Sequence, residues 1–286
     1  MTGISFIIIK YKSDFFENLE RNLALHCNCP YEIVEVDNTK GAFSSIAAAY
    51  NTNFSRAKYD LVCFLHEDVL FKSDWGLNAV NLMRDNPDIG LLGLVGAKFK
   101  SLLVTSYTNK IEARRYIRGR LANYGTIDNQ PYEEVVCVDG VFLLTRKSIL
   151  TEIRFDEEII QGFHGYDMDF SLQIFNAGYK VAITHGINLI HFSSGNRDMV
   201  WLKTNHRISR KWRRVLPLAS RDLNYGSRKR LLLELKTFFW LNELSLMKAL
   251  IKLPFALINW MLVTWVKSSV EVIRCSRYAQ CTRSNH

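Results

Sequence analysis

The chain lacks most of the features that would assign it quickly. It has no CxxC pair, and its six cysteines, Cys27, Cys29, Cys63, Cys137, Cys275 and Cys281, are not spaced as a zinc site. Cys63 and Cys137 lie inside apolar runs and read as packed thiols, so a reducing cytoplasm is the expected compartment. The opening Met1-Thr2-Gly3 passes straight into a strand-like run, with no targeting segment visible. The segment after that run, Lys10-Tyr11-Lys12-Ser13-Asp14, holds no glycine, which argues against a glycine-rich phosphate loop. In the tail the longest charge-free run, Leu253 to Val266, has 14 residues and contains Pro254 and Asn259. A membrane-spanning helix needs about 20. Internal repeats and low-complexity tracts are also missing.

What is present is a globular composition, 48% apolar and 23% charged over 286 residues, enough for one large domain and an appendage. The charge is unevenly distributed. Residues 1–196 carry 19 Lys and Arg against 23 Asp and Glu, whereas residues 197–286 carry 18 against 5. Such asymmetry separates an N-terminal body, residues 1–200, from a basic amphipathic helical region, residues 201–286. With Trp240, Trp260 and Trp265 at interface depth, this second region suits a membrane surface or a second subunit.

Periodicity organises the body. Ile4 to Ile9, Tyr31 to Val36, residues 60–65 and Ile89 to Val95 read as strands; residues 14–26, 43–57 and 75–84 read as helices. Alternating strand and helix is the signature of a doubly wound α/β sheet. Residues 100–134, with Arg114, Arg115, Arg118 and Arg120, read as a variable loop. Val135 to Thr145 reads as a strand interrupted at Asp139-Gly140, and a polar turn precedes a helix expected from Asp169 to Ala177.

The densest signal is Leu61-Val62-Cys63-Phe64-Leu65 running into His66-Glu67-Asp68. An apolar run of this kind is a buried parallel strand, and ligands of open α/β sheets sit beyond the carboxyl ends of strands. Acids recur at such ends: Asp37, Glu67 and Asp68, Asp139, and the pair Asp167 and Asp169. Gathered on one edge, they repel unless they share a cation or a proton. A divalent ion, Mn2+ or Mg2+, fits such ligation, and His191 after its own strand is placed to complete the set.

Four passages, read in order, resemble a family-2 glycosyltransferase of the GT-A fold, in the bacterial subgroup with His-Glu-Asp in place of the usual Asp-x-Asp. They are Ile4 to Tyr11; Glu32 to Asn38; Ala48-Ala49-Tyr50-Asn51 with Phe64 to Val69; and Val138-Asp139-Gly140 followed by Phe155-Asp156-Glu157 and Gly162 to Asp169. The resemblance covers about residues 3–200. It implies a mostly parallel central sheet flanked by helices, with a C-terminal helical extension, and transfer of a sugar from a nucleotide-sugar donor, a UDP-sugar above all, to a glycan or lipid-linked acceptor. By the same resemblance, Asp37, Asn38, Tyr11 and Glu67 bind the nucleotide; Asp68, His66 and His191 bind the metal; Asp139, Gly140 and His164 contact donor or acceptor. Asp167 is the catalytic base, with Asp169 as the alternative. Two positions depart from the family pattern: His66 replaces the first Asp of Asp-x-Asp, and Tyr166 replaces the first acid of a Glu-Asp pair. Other readings are a sugar nucleotidyltransferase, disfavoured by the missing glycine loop; a catalytically degenerate member that binds nucleotide without transfer, given His66 and Tyr166; and a nucleic-acid binder using Lys211-Trp212-Arg213-Arg214, disfavoured by the acidic edge.

Overall fold

Ile4 to Ile9 are buried without a break and alternate between two cores: Ile4, Phe6 and Ile8 face one, Ile7 and Ile9 the other. A strand covered on both faces is central to a layered α/β fold, and the computed structural model has that architecture. It describes residues 3–104, 131–193, 198–221, 231–232 and 234–235. The arginine cluster at 114–120, Ser194 to Arg197 and the tryptophan-bearing tail lie outside the described residues.

In chain order the elements are β1 (Ile4–Lys10), α1 (Ser13–His26), β2 (Tyr31–Asp37), α2 (Ile46–Asn53), β3 (Leu61–Leu65), β4 (Val69–Phe71), α3 (Gly76–Asp85) and β5 (Ile89–Gly93). There follow β6 (Gly96–Ala97), β7 (Phe99–Lys100), β8 (Tyr132–Val135), β9 (Cys137–Val138), β10 (Phe142–Arg146) and α4 (Lys147–Glu152). The last are α5 (Tyr166–Asn176), β11 (Lys180–Thr184), β12 (Leu189–His191), α6 (Met199–Trp212) and β13 (Leu218–Ala219).

The main sheet has seven strands in the order β2-β1-β3-β10-β5-β11-β8. β1, β2, β3, β5 and β11 run in one direction; β10 and β8 are reversed. From β1 the chain goes out to β2 on one side and returns through α2 to β3 on the other. The crevice between the ends of β1 and β3 is therefore a topological switch point, the place where such sheets bind ligands. On one face Phe16, Leu19 and Leu23 of α1 and Ala79, Val80 and Met83 of α3 pack against Phe6, Ile8, Cys63 and Leu65. The other face is covered by α2, α4, α5 and α6.

Three expectations from periodicity are corrected. The Ala-rich helix spans 46–53 rather than 43–57, because Ser45 caps it by accepting from the Ala48 amide and a single 3-10 turn follows. The strand expected over Val135 to Thr145 is three strands in separate pairings, since Asp139-Gly140 breaks the run and β9 pairs with β6 while β10 enters the main sheet. The helix expected from Asp169 starts at Tyr166, so Asp167 and Asp169 belong to the first turns of α5, not to a strand end. The cause is Gly165, which takes φ 76° and turns the chain into the helix. A Cβ there would also lie 2.6 Å from Ile208 Cδ1, so the site excludes a side chain on two grounds.

Asp169 is buried and locks α6 to α5. Its carboxylate accepts from Trp212 Nε1 at 2.7 Å, from Lys211 Nζ at 2.9 Å and from Gln173 Nε2 at 2.9 Å. As a result α6, which crosses residue 200, packs on the body through Leu202 and Ile208. Removing a carboxylate that satisfies three donors leaves the indole N–H and the ammonium short of a buried partner. Asp169→Ala is expected to lower the unfolding free energy by about 2–4 kcal/mol, measured as a shift of the urea midpoint at unchanged slope.

Candidate functional site

Three consecutive residues at the end of β3 reach into three different parts of the chain. His66 is fixed first by its backbone, whose N–H donates to Val141 O at 3.2 Å, continuing the β3–β10 pairing by one residue. Its ring then stands between two partners. Nδ1 lies 3.2 Å from His191 Nε2, and Nε2 lies 2.7 Å from the Tyr166 hydroxyl. Glu67 is buried and turns back towards β1, accepting from the amides of Tyr11 at 2.8 Å and Lys12 at 3.1 Å. Asp68 accepts from the Ser193 amide at 2.9 Å, while its other oxygen lies 3.2 Å from His191 Nε2 and 3.8 Å from His66 Nδ1.

His191 arrives by a separate route. β12 pairs antiparallel with β4, His191 standing opposite Val69, so a small two-stranded sheet sets the imidazole against the end of β3. One donor atom from each of His66, Asp68 and His191 lies within 4.8 Å of the others. Burial pushes the Asp68 carboxyl up, but the hydrogen bond and charge of His191, with smaller contributions from His66 and Ser193, bring it down to about 2. Burial, and then His191, hold the His66 imidazole below its ordinary value. At neutral pH the cluster therefore offers an ionised carboxylate beside an imidazole that favours its neutral, ligating form, a donor set that fits a divalent cation.

Beside this cluster opens a cavity of about 290 Å3, lined by His66, Glu67 and Asp68, by Tyr11, Lys12 and Phe15 after β1, and by Tyr50, Phe163 and Ser193. Tyr11 and Phe163 meet edge to face at 5.6 Å, and Lys12 Nζ stands 5.3 Å over the Phe15 ring. The wall is thus aromatic on one side and polar on the other, as small-molecule sites commonly are.

Asp167 sits at the start of α5 with its carboxylate facing the Asp139-Gly140 turn. It accepts from the Gly140 amide at 3.0 Å and from its neighbour Met168 at 2.8 Å. Burial, and then the charge of Asp139, raise its carboxyl to about 7, and the two amide hydrogen bonds only partly offset this. A carboxylate poised near neutrality is suited to proton transfer.

The other candidates are placed as follows. Asp37 ends β2 in register with Lys10 and is exposed; its carboxylate accepts from the Thr39 amide and hydroxyl, a turn that keeps it ionised. Asn38 is buried and closes the 38–43 loop through both side-chain atoms, donating to Phe43 O and accepting from Phe43 N. Asp139 folds back onto the Val141 amide. His164 stands 3.9 Å from Asp198, which caps α6 through the Trp201 amide. Asp169 points at α6. His185 lies apart from the cluster, its Nε2 2.9 Å from Glu133 Oε1. Sequence reasoning treated Tyr166 only as a missing acid and passed over Lys12, Phe15 and Phe163. The T-shaped Tyr11–Phe163 contact joins residues 152 positions apart in sequence, and no local pattern carries it.

A family model described as "Glycosyltransferase like family" matches residues 5–211. The chain belongs to this family. It is 27% identical over 176 residues to the streptomycin biosynthesis protein StrF of Streptomyces griseus, covering 59% of this chain and 60% of that protein. The chain thus spans less than two thirds of this curated relative. Among solved structures it is similar to S. aureus TarS 1-349 in complex with UDP, with TM-score 0.57, 13% identity and coverage of 96% of this chain and 83% of that one. It is also similar to GalNAc-T7 with UDP, GalNAc and Mn2+, with TM-score 0.55, 10% identity and coverage of 74% and 49%. These likenesses show the glycosyltransferase fold. Among the described residues no helix is long and apolar enough to cross a membrane.

Glu67 is the tie between the two strand ends that frame the cavity. Glu67→Ala is expected to speed hydrogen exchange at the Tyr11 and Lys12 amides by about 10- to 100-fold, the equivalent of losing a hydrogen bond to a charged group. Mass spectrometry or NMR of peptides spanning residues 10–14 reads this directly.

Proposed function

We propose that this chain transfers a sugar from a UDP-sugar to a hydroxyl of a glycan or lipid-linked acceptor, with inversion and with a divalent metal. The observation that carries the reading is the convergence of His66, Asp68 and His191 at the switch point beside the cavity, with His66 tied through Tyr166 to the helix turn that carries Asp167.

His66, Asp68 and His191 would hold the ion, and two nitrogens with one oxygen suit Mn2+ better than Mg2+. When bound, such an ion neutralises charge on the departing diphosphate. Tyr11, Asp37 and Asn38, at the neighbouring ends of β1 and β2, flank the place of the nucleobase, and Lys12 supplies a cation at the rim. Glu67 acts through Tyr11 and Lys12, whose amides it holds. Asp139, Gly140 and His164 border the donor sugar and the acceptor. Asp167 takes the proton of the acceptor hydroxyl as its oxygen bonds to the anomeric carbon and the bond from that carbon to the diphosphate oxygen breaks. One displacement with one base inverts the centre. Asp169, committed to Trp212 and Lys211, is not free for that task. The basic residues beyond α6 are assigned to an anionic membrane face where a lipid-linked acceptor is held.

Calorimetry with UDP, GDP and dTDP, with and without Mn2+, tests the site. UDP is expected to bind only with metal, and Asp68→Ala is expected to abolish that binding; no binding of any nucleotide by the wild type would sink the proposal.

The base is tested by pH. The ionised form of Asp167 is the active one and its carboxyl lies at about 7, so kcat/KM is expected to rise about tenfold per unit below that value and level off above it. Stability runs the other way: a carboxyl raised above its unfolded value favours the fold at low pH, and that contribution is lost as pH rises through about 7. Asp167→Asn is expected to cut kcat by about 10²- to 10⁴-fold and leave UDP binding in place. A pH profile flat through 7 would remove Asp167 as the base.

A further inference from the structure

Tyr166 is a buried phenol whose oxygen has two polar neighbours and a single proton to give. One neighbour, Gly140 O at 3.2 Å, can only accept. The other, His66 Nε2 at 2.7 Å, donates or accepts according to the tautomer of the ring. If the hydroxyl gives its proton to Gly140 O, its lone pair receives Nε2–H of His66. The neutral imidazole then has a bare Nδ1, and Nδ1 is the atom that faces His191 and Asp68. From Nε2–H through the phenol to Gly140 O, every polar atom is satisfied in this arrangement. With the proton on Nδ1 instead, the phenol must turn to Nε2, Gly140 O loses its donor, and a proton stands in the middle of the donor cluster.

The contact is built in by the backbone. The Asp139-Gly140 turn meets α5 so closely that a Cβ on residue 140 would lie 2.1 Å from the Tyr166 oxygen. The phenol also packs on Tyr50 and Phe155, ring centroids 5.9 and 6.1 Å away, which leave it no room to swing aside. Only glycine at 140 lets the phenol reach His66.

We infer that Tyr166 is a positioning residue: it fixes the proton of His66 on Nε2 and so presents Nδ1 as a ligand, with Gly140 making room for it. This rests on the metal-site reading above but is tested apart from it. Metal-ligating histidines generally hold their second ring nitrogen in such a bond, and breaking it typically costs 10- to 100-fold in metal affinity.

The measurement is long-range 1H–15N NMR of the histidine side chains in metal-free protein, with His66 assigned by its loss in His66→Gln. Wild type is expected to show His66 as the Nε2–H tautomer, and Tyr166→Phe is expected to show a mixture or the Nδ1–H form. A Mn2+ titration followed by EPR is expected to give about 10- to 100-fold weaker binding for Tyr166→Phe. Gly140→Ala keeps the phenol but displaces it, and should reproduce both changes; it decides the matter if the phenylalanine variant does not fold. A wild-type His66 protonated on Nδ1 overturns the assignment, whether or not manganese binds. So does a tautomer unchanged in both variants. Wild-type protein that shows the Nε2–H form but binds no manganese would fail the metal reading alone, while the assignment of Tyr166 stands.

Discussion

Everything near the site depends on the abrupt end of β3. Five residues, Leu61 to Leu65, are buried on both faces, so the strand is immobile and its direction is fixed by β1 on one side and β10 on the other. The next three residues are polar, and only the His66 amide continues the sheet pairing. Their side chains must find partners locally, and each finds a different one: His66 goes to α5, Glu67 to the turn after β1, and Asp68 to the segment after β12. A rigid strand end thereby positions three segments that are more than 50 residues from it in sequence. Preorganisation of this kind is what a site needs when its ligand brings concentrated charge, because the donors do not then have to be collected at the moment of binding.

The electrostatics follow from the same crowding. Asp139 and Asp167 are brought together because β10 runs antiparallel to β3 and begins where β3 ends, while Gly165 directs α5 at the same point. Burial raises the Asp167 carboxyl, and the nearby charge of Asp139 raises it further. Asp68 has the opposite fate a short way off, since two imidazoles and the Ser193 amide surround it. The end of β3 and the start of α5 therefore carry one carboxylate that is firmly charged, Asp68, and one raised to about 7, Asp167, and different environments push them apart. On the function proposed above, a metal-holding role and a proton-accepting role are separated by surroundings rather than by residue type.

How legible this was in the sequence depends on range. The strands and most helices were visible because apolar period is a local property, and the His66-Glu67-Asp68 ending was visible because an apolar run stops there. His191 was placed as a candidate from its position after a strand. The errors came where a tertiary contact decides. Val135 to Thr145 reads as one strand interrupted at Asp139-Gly140, and the interruption is there, but the pieces on its two sides join different sheets. Asp169 looks like a site acid from its neighbours in sequence, yet its partners Lys211 and Trp212 lie more than 40 residues away on α6. Glu67, a nucleotide contact by resemblance, turns its carboxylate to two amides after β1. In each case the side chain type was seen and its direction was not, since direction is set by segments that sequence distance hides.

The two departures from the family pattern look independent in sequence and are joined in space. Replacing a carboxylate by an imidazole at position 66 creates a new demand: a carboxylate has no second nitrogen to satisfy, whereas a ligating imidazole must place its other N–H somewhere. The acceptor has to lie on α5, the element that faces Nε2. A glutamate at position 166 would meet that demand, but it would add a third carboxylate beside Asp139 and Asp167 and raise the cost of ionising the latter. A phenol accepts the same hydrogen bond without bringing a charge, and passes its own proton to Gly140 O. It also reaches further than a carboxylate, which is why the turn beneath it tolerates no side chain. His66, Tyr166 and Gly140 thus form one unit, in which the choice at the first position constrains the other two.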